Sequence, residues 1–251
     1  MRIEELKEFL EEKTAFYNQP RFIDNDPIQV PHAYNEERDI EIAAFLTATI
    51  SWGRRVSIIN NAKSLLHILG ESPYDFVLSA SNQQLGRLKG FCHRTFNEED
   101  ARTFILGLRQ VYRQGGMEKP FTETESTHDG IVRLRNLFFG IPHPVRTKKH
   151  FSDPSRNSAA KRINMFLRWM ARSDRNGVDF GIWKSVHPKQ LMLPLDVHTS
   201  NVARRLGILQ RKQNDWKAVE EVTGNLRKFD KNDPVKYDFA LFGLGAIEGF
   251  S

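Results

Sequence analysis

The feature that most limits how this chain folds is the spacing of its apolar residues, which recur three and four positions apart along nearly its whole length with little strand-like alternation. Such spacing lays one apolar stripe along each helix and predicts an all-α protein. "MRIEELKEFLEEKTAFY" places Ile3, Leu6, Phe9 and Leu10 at helical intervals among charges, unlike the unbroken apolar core of a signal peptide. A linker punctuated by Pro and Asp runs from Pro20 to Pro31. In "NEERDIEIAAFLTATISW", Asn35 is positioned to cap a helix that buries Ile40, Ala44, Phe45 and Ala48. "VSIINNAKSLLHILG" reads as a second core helix, stopped by Gly70. "NEEDARTFILGLRQVYRQGG" reads as a third, capped by Asn97, favoured at its start by Glu98 and Glu99, and ended by Gly115 and Gly116.

Further on, "HDGIVRLRNLFFGIPHPVRTKKHFSDPSRNSAAKR" begins as a short helix and then turns Pro-rich and cationic, a functional loop or an exposed connector. Beyond it the spacing predicts helices in "KRINMFLRWMAR", from Asp196 onward, in "DWKAVEEVTGNLRKF" and in "DPVKYDFALFGLG". Asp215 and Asp233 are candidate caps for the last two, with Pro234 in a first turn. A chain of 251 residues can hold one large core or two lobes sharing a cleft. The expected division is a lobe of about 36–150 and a second made from 1–35 together with 151–251.

The single Cys92 excludes an internal disulfide and a four-cysteine zinc or iron–sulfur site, so a reducing cytoplasm is the expected location. No run approaches the roughly 20 apolar residues of a membrane-spanning helix. The eight histidines are scattered, and neither "HPVRTKKH" nor "CH" supplies a metal-ligand framework, so no metal or other cofactor is expected. Lys and Arg exceed Asp and Glu by 37 to 31, a net charge of +6. That excess suits a phosphate backbone but does not by itself select one.

Chemistry concentrates in "LPLDVHTSNVARRLGIL", where Pro194 stiffens the approach to a helix that opens at Asp196 and buries Val202, Leu206 and Leu209. On those facts alone Asp196 reads as a helix cap. In "AAKRINMFLRWMAR", with Ile163, Phe166 and Met170 turned inward, Lys161, Asn164 or Met165, Arg168 and Arg172 form a second stripe. That stripe either follows a nucleic-acid backbone or makes a solvated charged face.

"PLDVHTSNVARRLGIL" resembles the "VDTHVxRVxxRLG" signature of the helix-hairpin-helix DNA glycosylases, the superfamily of endonuclease III and the 8-oxoguanine glycosylases. The resemblance puts Asp196 on their catalytic Asp and His198 on the following His. Lys161, leading "KRINMFLRW", is similar to the catalytic Lys of bacterial and archaeal 8-oxoguanine lyases. "AAFLTATISWGRRVSIINNAKSLL" is similar to the helix pair before the DNA-facing loop, and "GRLKGFCHRTFNEEDARTFILGLRQV" continues the likeness. Taken whole, the chain also resembles a largely bacterial family of unknown function related to these enzymes.

The resemblance implies a two-lobed glycosylase fold and a monomer that flips a damaged base out of duplex DNA. Lys161 would attack the sugar carbon while Asp196 stabilises the developing positive charge and moves protons. Phosphates would fall to Arg156, Asn157 and Ser158 of the hairpin, to Arg162 and Arg168, and to the first amides of the Asp196 helix. Arg54 and Arg55 would reach the opposite strand, and His198 would either orient Asp196 or pack in the helix's first turn. Trp52, Phe91, Trp183 and Phe250 are candidates for packing on the base, whereas Trp169 reads as core. Two departures stand out. The family's "GxG" turn is replaced by "PSRNSAAK", in which Asn157 is the best residue for a left-handed conformation, and the stretch between Lys161 and Asp196 is longer than in endonuclease III. The alternative implied is a non-catalytic nucleic-acid-binding protein that kept the fold.

Overall fold

Helices follow the apolar spacing. In the computed structural model, which describes residues 2–124 and 126–250, they are α1 (Ile3–Tyr17), α2 (Glu37–Thr49), α3 (Arg55–Leu69), α4 (Pro73–Ser79), α5 (Asn82–Leu85), α6 (Glu98–Arg113), α7 (Lys119–Thr122), α8 (Thr127–Phe138), α9 (Lys161–Ala171), α10 (Val197–Arg205), α11 (Trp216–Leu226) and α12 (Asp238–Phe242). Among the described residues the one named sheet is an antiparallel ribbon of β1 (Cys92–His93) and β2 (Phe96–Asn97). The fold is all-α. No helix among the described residues is long and apolar enough to cross a membrane.

The chain forms two compact units, one of Met1–Phe22, Ser126–His128 and Ser152–Ser251, the other of Ile23–Glu125 and Asp129–Phe151. In the first, α1 packs on α12, burying Leu6, Leu10 and Tyr17. The approach is close because α12 runs into a π-helical segment, Gly243–Ile247, whose first glycine lies against the Tyr17 ring; a Cβ there would stand 2.2 Å from a ring carbon. Ile163, Phe166, Leu167, Trp169 and Met170 of α9 and Val219, Val222 and Leu226 of α11 fill the same core.

In the second unit α2 is buried almost all round, with α3 and α4 packed against it. Phe45, Phe104 and Phe138 cluster at ring-centre distances of 4.9–6.1 Å, within the range of favourable aromatic pairs. The stretch expected to be a linker is folded into 3-10 turns, Pro20–Asn25, Pro27–Gln29 and Pro31–Ala33, because Ile28 and Val30 are apolar enough to bury against α2 and α3. Part of the cationic connector is likewise built in: Val145–His150 forms a 3-10 turn in which Thr147 donates to Asp100 Oδ1 at 2.6 Å and Arg146 to Asp100 Oδ2 at 2.8 Å. Burial pushes the Asp100 carboxyl up, but these bonds, the Asn97 amide and the charges of His150 and Arg146 outweigh it and hold the group below its ordinary value.

Side-chain caps follow the local rules at the starts of α4, α5, α6, α10 and α11. Asn97 accepts from the Asp100 amide at 3.1 Å while Asp100 accepts from the Asn97 amide, a reciprocal box. Asp215 accepts from the Ala218 amide at 3.1 Å. Two expected caps are absent. Glu36, not Asn35, occupies the position before α2 and makes no side-chain cap. Asp233 precedes the 3-10 turn Pro234–Tyr237, but its carboxylate accepts from Arg172 Nε at 2.9 Å, and a charged partner outcompetes a neutral amide.

Candidate functional site

The approach to α9 is a tight hairpin. Asp153 caps the turn Pro154–Arg156 through the Ser155 amide, and Asn157 then adopts the left-handed conformation at φ 62°, ψ 24°, as its side chain tolerates. Ala160 is also left-handed, at φ 47°, ψ 36°, although alanine has no preference for that region and the conformation costs about 1–2 kcal/mol. The hairpin is fastened to the start of α11: Asn157 Nδ2 donates to Asp215 Oδ2 at 3.0 Å, Trp216 N donates to the Asn157 carbonyl at 3.2 Å, and Ser158 forms a bridge with Asp215. The Arg211 guanidinium, followed by the Ala218 amide and Asn157, holds the Asp215 carboxyl well below the usual carboxylate range.

Ala160 offers no side-chain cap at the start of α9. Lys161 is half-buried, its Nζ 3.7 Å from Met165 Sδ one turn on. Arg162 is half-buried as well, and burial lowers its guanidinium to about 10. The stripe that continues along α9 turns inward. Arg168 and Arg172, expected to face a phosphate backbone or solvent, are both buried, so their charges are met inside the protein. Arg168 pairs with Asp179 at 3.2 Å and with Asp238, and Arg172 pairs with Asp179 at 3.0 Å, Asp174 at 2.5 Å and Asp233 at 2.9 Å. The Phe239 ring lies beneath both guanidiniums, 4.4 and 5.4 Å from their central carbons. Arg168 is therefore not a phosphate ligand: releasing it would strand buried carboxylates.

In this cluster two guanidiniums face four carboxylates, and burial raises two of the four, Asp233 and Asp238, above their ordinary values. Burial pushes the Asp238 carboxyl up to about 6 against the opposing charge of Arg168; the negative charge of Asp196 raises it further and the positive charge of Lys161 lowers it. Lys161 and Asp196 thus both lie within electrostatic reach of one buried acid. Asp196 is half-buried and caps α10, accepting from the Thr199 amide at 2.9 Å. His198 is exposed and makes no bond to Asp196; its carbonyl and Cβ lie against Gly245, where an added Cβ would be 3.0–3.1 Å away. The arrangement supplies an amine, a carboxylate fixed at a helix mouth and a second carboxylate able to exchange a proton near pH 6.

Sequence reasoning missed Asp238 and Asp179, the two carboxylates that pair with Arg168. The signal available was an acidic residue inside the apolar run "KYDFALF", since a charge there must be paired if the helix is buried.

Among the other expected contacts, Arg156 and Arg54 are exposed with no side-chain partner, and Arg55 is half-exposed. Trp52 is half-buried, its ring edge-on to His93 at 4.9 Å and stacked on His150 at 5.6 Å. Phe91 and Trp183 are core residues instead of base platforms: Phe91 packs edge-on against Phe96 at 6.2 Å and Trp183 against Phe166 at 5.5 Å, leaving neither face open. Phe250 is half-buried under the Arg205 guanidinium at 5.1 Å. Trp169 is fully buried. Among the described residues no group of three His, Cys, Asp or Glu side chains is arranged to hold a metal.

A family model described as a protein of unknown function (DUF2400) matches residues 26–247. No curated protein and no solved structure matches the chain.

Proposed function

This chain belongs to the DUF2400 family, proteins of unknown function, and we propose that it is a DNA repair glycosylase with AP lyase activity, excising a damaged base from duplex DNA after flipping the nucleotide. The observation that carries this reading is the shared locality of Lys161 and Asp196, which stand at the starts of two different helices and both act on Asp238. The hairpin before Lys161 supports it, with left-handed turns at Asn157 and Ala160 where the resembling enzymes use glycine.

In the reaction, the Lys161 amine attacks C1′ of the extruded nucleotide as the bond to the base breaks. Asp196 stabilises the positive charge that develops on the sugar and relays the amine proton towards the departing base. Ring opening leaves a Schiff base to Lys161, and elimination then cleaves the strand on its 3′ side. Phosphates are held by Arg156, by the hairpin residues Asn157 and Ser158, by Arg162 and by the first amides of α10.

One observation favours a second reading, a nucleic-acid-binding protein without catalysis: no hydrogen bond or ion pair joins Lys161 to Asp196, and the Asp196 carboxylate is engaged as a cap. Borohydride trapping on duplexes carrying 8-oxoguanine, an abasic site or uracil separates the two. A covalent adduct formed by the wild type, lost in Lys161→Ala and reduced in Asp196→Asn, supports the lyase. Retained binding with neither adduct nor base release supports the binding protein.

A further inference from the structure

Between α10 and α11 the chain makes a polar loop shaped by side-chain hydrogen bonds to its backbone. Arg204 donates to the carbonyls of Arg211 at 2.8 Å and Lys212 at 2.9 Å and to Asn214 Oδ1 at 2.6 Å. Asn214 in turn donates to Ser200 Oγ at 2.9 Å. From the other side the Glu221 carboxylate accepts from the amides of Gln210 and Arg211, and Asp215 accepts from Arg211 Nε at 2.6 Å. The loop encloses an open hollow of about 540 Å³ lined by Gln210, Arg211, Lys212, Gln213, Lys217 and Glu221.

The charge inside this hollow is unbalanced in one direction. Both acids at its edge are already committed, Glu221 to backbone amides and Asp215 to Arg211, Asn157 and the Ala218 amide. Lys212 and Lys217 are exposed and their ammonium groups have neither a hydrogen bond nor an ion pair. Two exposed cations therefore stand at a loop whose backbone is held by hydrogen bonds from Arg204 and to Glu221. The same loop touches the hairpin, since Asp215 bonds Asn157 and bridges Ser158.

We infer that this loop is a second phosphate-binding surface, on which Lys212 and Lys217 extend the phosphodiester track that begins at the hairpin of residues 154–160. The inference rests on the nucleic-acid reading above but concerns residues outside the reacting groups. The partner is the sugar–phosphate backbone: exposed ammonium groups suit a run of singly charged phosphates, and among the residues lining the hollow none is aromatic or aliphatic enough to hold a base.

The test is the salt dependence of binding to an undamaged duplex, comparing the full-length wild type, the double variant Lys212→Gln/Lys217→Gln, and Lys7→Gln on α1 as a control. Each phosphate contact contributes about 0.9 to the slope of log affinity against log salt on duplex DNA, so the double variant should bind with a slope shallower by about 1.8 while the control is unchanged. Because neither ammonium holds the loop together, the thermal unfolding of the double variant should match that of the wild type. Duplex binding with an unaltered slope in the double variant would overturn the inference and leave the proposed function standing. A wild type that binds no duplex at all would overturn both. Selective displacement of the duplex by inorganic phosphate, beyond the effect of chloride at equal ionic strength, would assign the hollow to free phosphate and overturn the backbone track.

Discussion

Replacing Asp238 by Asn should change how the stability of this protein depends on pH, because Asn keeps the shape of the protonated acid but cannot ionise. Asp238 is 6% exposed, and burial raises its carboxyl from 3.8 to about 6 despite the Arg168 guanidinium. A shift of that size corresponds to about 3 kcal/mol, at roughly 1.4 kcal/mol per unit. Its sign follows from where the proton resides. Between those two values the folded protein holds a proton that the unfolded chain has already released, so the stability it confers is complete below the unfolded value and is lost as pH rises through about 6. The Asn variant loses nothing over that window. Its unfolding free energy, minus that of the wild type, should therefore increase by about 2–3 kcal/mol between about pH 4 and pH 7. Whatever the substitution costs in the bond to Arg168 contributes chiefly a constant to that difference. Urea unfolding at several pH values measures it, and thermal unfolding should register a change of roughly 5–10 °C for a chain of this size. A difference that stays flat, or falls as pH rises, would refute the claim that burial raises the Asp238 carboxyl.

Two further substitutions test the packing. Gly243→Ala places a Cβ 2.2 Å from a Tyr17 ring carbon, so urea denaturation should show a loss of about 2–3 kcal/mol, much of it recovered when Tyr17→Ala opens the space. At the hairpin, Asn157→Ala should cost about 1 kcal/mol more than Asn157→Gly, since both lose the 3.0 Å bond to Asp215 but only alanine is penalised at φ 62°. Equal losses in a thermal melt would show that the left-handed turn is not kept in solution.

The sequence by itself determined the helices and many of their ends. Apolar residues at a period of 3.6, the Asn97 box, the Asp215 cap, and Gly70 closing α3 are local features, settled by neighbours a few positions away. The left-handed Asn157 was legible for the same reason, whereas Ala160, with no side-chain preference for that region, gave no sign. Asp196 and Lys161 stood out by motif, but Asp238 did not, because its partner Arg168 is 70 positions away and only the tertiary fold brings them together. That pairing also decided the direction of Arg168 and Arg172. Their stripe has the spacing of a solvated face, and it turned inward because Asp174, Asp179, Asp233 and Asp238 converge on it from other segments. Phe91 and Trp183 follow the same logic: an aromatic ring is apolar enough for a core and flat enough for a base, and which it becomes depends on the distant residues that pack against it.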